Sequence, residues 1–294
     1  MIVSNTEISM YNTCERSHYY RFVLKIEPRP ANLSVPLKRG ILGHAALDKY
    51  YNVIKEGKSA EEAAEVAKQV VRDQMTKDII EQGMDIDLLI YKQLLKLFDG
   101  YHKKYVHEPF EVIQTETVHT VPLADGIDYG LRLDLLVKMS LSNQLALIDH
   151  KFVYNFKTKP EIDMDCQLPK YAKTLRENGL PVYKKYFNEL RHRQLKNPSP
   201  HDIYRRISTE TTDVEIDRIW LEQKEAAIEI VEKRSDPEKY KAKAKRNLSP
   251  YICRGCPFQR VCKLELQGKP IKNEIIMNFQ PNTYGYTDLT IEDN

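Results

Sequence analysis

An α/β or α+β fold is predicted by three observations. Long helix patterns occupy the first third of the 294-residue chain, strand-like stretches cluster between 110 and 153, and helical periodicity returns after 213. No internal repeat runs through this order.

Residues 1–24 hold a short helix pattern ending in "YYRFVL", and a proline-bearing loop, "EPRPANLSVP", follows. "KRGILGHAALDKYYNVI" starts a helix whose apolar positions (Ile41, Ala45, Leu47, Tyr51, Ile54) fit one face only loosely. Segments 59–82 and 86–106 space apolar residues by three and four, as amphipathic helices do, and Ser59 can cap the first. Strand-like stretches run over 110–121, 129–138 and 145–153. A helix within 161–178, strands at 181–187 and 202–208 and a helix at 213–234 complete the core. Residues 268–294 form a tail without clear periodicity that ends acidic and is free to move or to dock on a partner.

The 41% hydrophobic and 30% charged content is that of an ordinary globular chain, and no apolar run reaches the roughly 18 residues of a membrane span. The opening residues lack the basic patch and apolar run of a secretory signal, so a cytoplasmic location is expected. The 45 basic residues are nearly offset by 42 acidic ones, so the net charge of +3 does not by itself imply a nucleic-acid partner.

One strand raises a sharper question. "ALIDHKFVY" (146–154) carries Asp149, His150 and Lys151 among apolar neighbours, although buried charges need partners. If Ser140 to Asn143 form a four-residue loop, Met139 faces Gln144 and Asp134 stands opposite Asp149, with Cβ atoms about 4.5–5.5 Å apart. Lys151 then shares the face of Asp149, while His150 points to the other. Two carboxylates at that spacing repel unless a hard divalent cation such as Mg²⁺ or Mn²⁺ takes their oxygens. A slip of one residue would separate the acids. Acid-x-Lys alone is a weak pattern, since "EGK" and "EQK" also occur at 56–58 and 222–224 and a charged edge strand is the plain alternative. The facing acid and the apolar flanks "LRLDLLV" and "LALIDHKFV" distinguish this instance.

The five cysteines are Cys14, Cys166, Cys253, Cys256 and Cys262; an odd number without a secretory signal argues against a disulfide framework. "CRGCPFQRVC" packs three of them as C-x2-C-x5-C, and three ligands need a fourth. Cys14 sits beside aromatic residues in "MYNTCERSHYYRF", whereas Cys166 lies in a helical pattern and reads as core. Zinc is the rival centre. Structural zinc sites usually show two short-spaced ligand pairs, so a four-cysteine iron–sulfur cluster fits this spacing better.

"GILGH", "LRLDLLVK", "LIDHKF", "QLPKYAKTL" and "CRGCPFQRVC" occur in that order. Their succession resembles the PD-(D/E)XK nuclease superfamily, most of all its RecB-like branch with an iron–sulfur cluster, which includes the AddB-type nuclease domain and CRISPR-associated exonucleases. The likeness runs from about Ser9 to Cys262. It implies a restriction-endonuclease-like mixed central sheet flanked by helices, with the N- and C-terminal segments joined by a 4Fe-4S cluster on Cys14, Cys253, Cys256 and Cys262. It implies Asp134, Asp149 and Lys151 as catalytic residues, with His44 and His150 joining the two acids at a Mg²⁺ or Mn²⁺ site. Gln167 and Tyr171 match a Q-x3-Y element near the DNA, and Glu116 resembles an acid on the preceding strand whose role the likeness does not specify.

The same resemblance implies a single domain over 1–267, with a helical segment 40–106, a nuclease core 109–210 and a C-terminal helix and cluster loop 213–264. The expected function is a metal-dependent DNA exonuclease acting on single strands or ends in recombination, repair or phage and CRISPR DNA processing, with a helicase or recombination partner. "RHRQLK" (191–196) and "KYKAKAKR" (239–246) are candidate phosphate contacts, and Tyr171, Tyr183 and Tyr204 candidates for stacking on unpaired bases. A cluster-stabilised DNA-binding subunit of a larger helicase–nuclease assembly, and a zinc-bound interaction module, are the other two classes.

Overall fold

The computed structural model describes residues 1–82 and 88–282. Among them are eight strands: β1 (Ile2–Ser4), β2 (Ile26–Pro28), β3 (Phe110–Ala124), β4 (Ile127–Met139), β5 (Leu145–Val153), β6 (Val182–Arg191), β7 (Tyr204–Thr209) and β8 (Phe279–Pro281). The chain gathers into two compact units, a central one of Val35–Thr117 and Arg132–Ile216 and a terminal one of Met1–Ser34, Val118–Leu131 and the residues from Asp217 onward.

In the central unit β4 and β5 form the expected hairpin. Met139 donates its N–H to the Gln144 carbonyl at 2.9 Å, and Asn143, at φ 55°, closes the loop onto Met139. Leu135 pairs with Ile148 and Val137 with Ala146, so the next positions along this register are Asp134 and Asp149. β6 runs parallel to β5, with Lys151 beside Glu189 and Val153 beside Arg191, and β7 returns antiparallel to β6. The parallel step needs a crossover, supplied by the helix Gln167–Glu177. The result is a mixed sheet flanked by helices.

The helices Val35–Lys55, Ala60–Gln82 and Leu89–Lys104 precede that sheet in sequence. Their buried residues Leu47, Tyr50, Ala67, Leu94 and Phe98 belong to one core with Leu135, Val137, Ala146 and Ile148, the alternate positions of β4 and β5. Truncating one such side chain, as in Leu94→Ala, should cost about 2–5 kcal/mol. Ser59 begins the second helix as expected, exchanging hydrogen bonds with Glu62 at 2.9 and 3.2 Å. Gly43 in the first helix meets Phe152 of β5 so closely that a Cβ there would lie 2.3 Å from the ring. The absence of a side chain at 43 thus sets how near the helix, and His44 with it, comes to the sheet.

Several expectations need correction. β6 continues to Arg191 rather than ending at 187, because Glu189, fully buried, is neutralised within the unit. Its carboxylate accepts from the Lys157 N–H at 2.9 Å and pairs with Arg205, so a charge that interrupts the apolar pattern does not end the strand. Cys166 is exposed and immediately precedes the helix Gln167–Glu177, not core, because residues 159–163 form a separate turn. Tyr204 is 5% exposed and its hydroxyl donates to the Leu97 carbonyl at 2.7 Å, so it cannot stack on a base.

In the terminal unit β1 pairs in parallel with the start of β4, Ile2 beside Asp128 and Ser4 beside Gly130. Ser4 also caps the helix Asn5–Thr13 by accepting from the Glu7 N–H at 3.1 Å. A buried polar set holds the helices there: His18 lies 2.9 Å from the Tyr240 hydroxyl and 3.1 Å from Glu7, which Arg234 also contacts. The described part of the tail carries regular structure. Lys272–Asn278 form a helix, and β8 pairs antiparallel with β2, placing Phe279 against Phe258 at 5.7 Å between ring centroids. A three-residue strand whose partner lies near the other terminus leaves no local pattern to read. Residues 283–294 of the tail, and 83–85 of the gap before the third helix pattern with its opening 86–87, lie outside the described residues.

Candidate active site

The β4–β5 hairpin, the helix Val35–Lys55 and β3 bring together His44, Glu116 and Asp134, whose ligand atoms lie within 4.8 Å of one another. His44 Nδ1 is 3.4 Å from Asp134 Oδ2 and 3.8 Å from Glu116 Oε1. Asp134 Oδ2 also accepts the backbone N–H of His150 at 2.6 Å. Burial alone would raise the Asp134 pKa, but His44, His150 and Lys151 outweigh it and hold the carboxyl below its ordinary range. His44 is shifted the other way, upward: burial opposes its charge, and the surrounding carboxylates, Asp134 foremost, more than restore it. Glu116 is raised to about 7 by burial and by the charge of Asp134.

Asp149 and Lys151 form a second group on the same hairpin. Lys151 Nζ lies 2.7 Å from Asp149 Oδ2 and donates to Gln167 Oε1 at 3.2 Å. Gln167 Nε2 donates to Asp149 Oδ1 and to the Tyr171 hydroxyl, both at 3.1 Å. Asp149 is pushed upward by burial first and by Asp134 next, with Lys151 opposing. Lys151 is shifted upward because Asp149 and Asp134 outweigh its burial, so its ammonium stays charged at neutral pH.

Every sequence-derived residue of this region falls inside the central unit, but the groups divide. His44 and Asp134 converge; neither Asp149 nor His150 joins the converging set. His150 turns to the opposite face, as strand alternation requires. Its ring stacks on Tyr51 at 5.4 Å and 5°, with Nδ1 2.9 Å from Asn188, and burial pushes its pKa down to about 3. Gln167 and Tyr171 do share a helix face, with Pro169 in the first turn. Tyr171 is 7% exposed, so stacking on DNA is not available to it. Glu116 is the residue the sequence left without a role. Its backbone sits at φ 45°, a left-handed conformation that a glutamate rarely adopts, within a strand. Nothing in the pattern "VIQTETVHT" signals that turn of the backbone, although an acid on the strand preceding a charged hairpin is a reason to look.

In the terminal unit Cys14, Cys253, Cys256 and Cys262 line one cavity of about 260 Å³ together with Tyr20 and Phe258. The Asn247 N–H points at Cys14 Sγ at 3.5 Å, and Cys253 Sγ lies 3.4 Å from the Asn247 carbonyl. The thiol of Cys256 is raised by burial. The sulfurs do not close on one point: no three of them lie within 4.8 Å of one another.

A family model for the PD-(D/E)XK nuclease superfamily matches residues 2–263. The chain belongs to that superfamily. PD-(D/E)XK proteins are metal-dependent nucleases acting on DNA. The converging His44, Glu116 and Asp134 agree with the divalent-metal chemistry of PD-(D/E)XK enzymes. No curated protein matches the chain. Among solved structures it is similar to one described as "Crystal structure of SSO0001", at 14% identity over 66% of this chain and 79% of that one, with a TM-score of 0.34, a likeness too loose to bear on the fold. No helix among the described residues is long and apolar enough to cross a membrane.

Proposed function

We propose that the protein is a DNA exonuclease of the RecB-like branch, cutting single strands or ends with Mg²⁺ or Mn²⁺ held by His44, Asp134 and Asp149 and stabilised by a 4Fe-4S cluster on Cys14, Cys253, Cys256 and Cys262. The observation that carries the catalytic reading is the meeting of His44 and Asp134 beside the Asp149–Lys151 pair on one hairpin. Glu116 converges with His44 and Asp134, and these three, with Asp149 beside them on the hairpin, offer nitrogen and oxygen donors suited to a hard divalent ion. The bound ion supplies charge neutralisation at the phosphate and a more acidic water.

The remaining work falls to side chains. Asp134 is held anionic by His44 and by the His150 N–H, so it offers a preformed negative ligand. Lys151, kept protonated by its two acids, is unsuited to act as a base. It presents a fixed positive charge to the phosphate oxygens as they gain charge. Gln167 fixes that ammonium and the Asp149 carboxylate in one geometry through both ends of its amide. His44 accepts a metal only as the neutral ring, while the carboxylates around it favour the charged one, so ion binding is coupled to pH.

The cluster reading rests on the cavity that Cys14, Cys253, Cys256 and Cys262 share and on the C-x2-C-x5-C spacing, which lacks the two short-spaced ligand pairs usual in structural zinc sites. When bound, the cluster ties the N-terminal segment to the 253–262 loop, a structural role.

Digestion of end-labelled oligonucleotides with Mg²⁺ or Mn²⁺, comparing wild type with Asp149→Ala, tests the proposal. Ladder-forming loss of nucleotides from one end, absent in the variant, is expected; equal activity in both would remove the mechanism. DNA binding by wild type without cleavage would favour a non-catalytic subunit instead.

A further inference from the structure

A second cavity, about 360 Å³, lies in the central unit between the helix Leu89–Lys104 and the segment that follows β6. That volume is at the small end of ligand-sized clefts, roughly 300–1,000 Å³. Its wall is apolar, with Leu97, Leu195, Pro198 and Ile203. Its charged members are of one sign: Lys92, Lys96, Arg191 and Arg193 line it, and no acidic residue does among those described.

Its position ties it to the chemistry. Lys151 pairs with Glu189 across β5 and β6, and two residues further Val153 pairs with Arg191, about 7 Å along the strands at 3.3 Å per residue. The chain then enters the cavity wall, where His192 donates its N–H to the Val153 carbonyl at 3.0 Å. The opposite side is fixed to the helix that carries His44, because Arg39 donates to His192 Nε2 at 3.1 Å and to Gln93 Oε1 at 2.8 Å. The cavity thus opens at the carboxyl ends of two parallel strands, the end where α/β sheets bind ligands. Next to it, Tyr154 is 58% exposed with the Arg193 guanidinium 5.3 Å from its ring centre.

We infer that this cavity holds one nucleotide of a single DNA strand, its base against the apolar wall and its phosphates on Lys96 and Arg193, adjacent to the metal-binding hairpin. An apolar pocket with a wholly cationic rim complements a flat base joined to an anionic backbone. Duplex DNA cannot place a base there without unpairing it, so the cavity selects single strands. The inference rests on the nuclease reading for its purpose, but not for its binding chemistry.

The test uses full-length Asp149→Ala protein, in which binding is measured without digestion. Oligothymidylate and a blunt duplex are titrated by fluorescence anisotropy over a range of salt. Adding Lys96→Ala and Arg193→Ala should weaken oligothymidylate binding tenfold or more at low salt and make its log–log salt dependence shallower by about 1.4, roughly 0.7 per lost phosphate contact. Leu195→Trp, which fills the cavity without changing charge, should weaken the oligothymidylate severalfold and leave the salt dependence as it was. Duplex affinity should change less than twofold in either case. Unchanged oligothymidylate affinity in both variants, equal losses on both DNAs, or no binding by the parent protein would overturn the inference. The nuclease reading is judged separately, by Mn²⁺-dependent hydrolysis of thymidine 5′-(p-nitrophenyl phosphate), a substrate too small to span both places. Absence of that hydrolysis in wild type would sink the nuclease reading while the strand-binding result stood.

Discussion

The acidic hairpin of the central unit and the cysteine cavity of the terminal unit both collect metal-type ligands, yet they solve the problem of unsatisfied charge differently. In the hairpin each carboxylate already has partners: His44 and the His150 N–H for Asp134, Lys151 and Gln167 for Asp149. The ligands stand on regular strands and a long helix whose own core orders them. The four cysteines stand on short helices and loops, where Cys14 and Cys253 meet the Asn247 backbone and Cys262 meets the Arg246 side chain. A site whose charges are satisfied internally exists before its ion arrives, whereas a site of thiols on short elements depends on its centre for order. Removing ligands should therefore cost function in the first region and fold in the second.

The largest expected effect breaks the first region's chemistry alone. Asp149→Ala should lower the cleavage rate at least about a thousandfold, as loss of roughly 4 kcal/mol of transition-state stabilisation would. Circular dichroism should show the same melting profile within a few degrees. The isosteric Asp149→Asn sharpens the point. Because burial and Asp134 raise the pKa of this acid in the folded state, its ionised form opposes folding above its unfolded pKa, and that penalty fades as pH falls through the folded value. The metal-free asparagine variant should melt no lower than wild type at neutral pH, and Mn²⁺ should raise its Tm less. A variant that melts well below wild type would show that the hairpin, too, needs its ion pair to fold.

Cys256→Ser is the counterpart in the terminal unit. Iron should fall from about four atoms per chain, the content of one 4Fe-4S cluster, to near zero. The melting temperature should drop by about 5 °C or more, as about 2 kcal/mol does in a domain of this size. Zinc in place of iron by elemental analysis, or an unchanged Tm after iron loss, would erase the contrast between the regions.

Gly43→Ala acts on the hairpin through its neighbour. The new methyl would lie 2.3 Å from the Phe152 ring, so the ring or the helix must shift. Overpacking of this kind costs about 1–3 kcal/mol, and the displacement carries His44 away from Asp134. Isothermal titration should show Mn²⁺ binding weakened about tenfold; undiminished affinity would mean that the Phe152 ring alone gives way.

Much of this was open to inspection in the residues themselves. The hairpin register followed from one loop length and the alternation of side chains, and it holds because the apolar positions 135, 137, 146 and 148 have a core to enter. What escaped reading depends on long-range contact. Glu116 joins the metal set through a backbone angle that no local pattern encodes, and β6 runs on through Glu189 because Arg205 lies on the next strand. Tyr204 reads as an exposed aromatic until Gly100 is seen to admit its hydroxyl, where a Cβ would stand 2.3 Å away. The short pairing of β2 with β8 joins segments near opposite termini and carries no periodicity at all.

Gln167 separates two roles that sequence alone merges. Were it a DNA contact, Gln167→Ala would raise KM and spare kcat. Its bonds to Asp149 and Lys151 predict the reverse, a fall in kcat of about tenfold, near 1.4 kcal/mol, with KM little changed. Steady-state kinetics on one oligonucleotide decides between them.

The smallest expected effect concerns pH at a place remote from both ligand sets in role. Burial, and then the charge of Arg39, push the His192 pKa down to about 4 from an ordinary value near 6.5. The neutral ring accepts the Arg39 hydrogen bond at 3.1 Å, and protonation would set two cations against each other. A folded pKa below the unfolded one means that this contribution to stability is complete above pH 6.5 and is lost as the pH falls toward 4. Wild type should therefore lose slightly more Tm between pH 7 and pH 5 than His192→Gln, whose amide keeps an acceptor for Arg39 without titrating. Equal losses in the two proteins would place the acid sensitivity elsewhere, in carboxylates common to both.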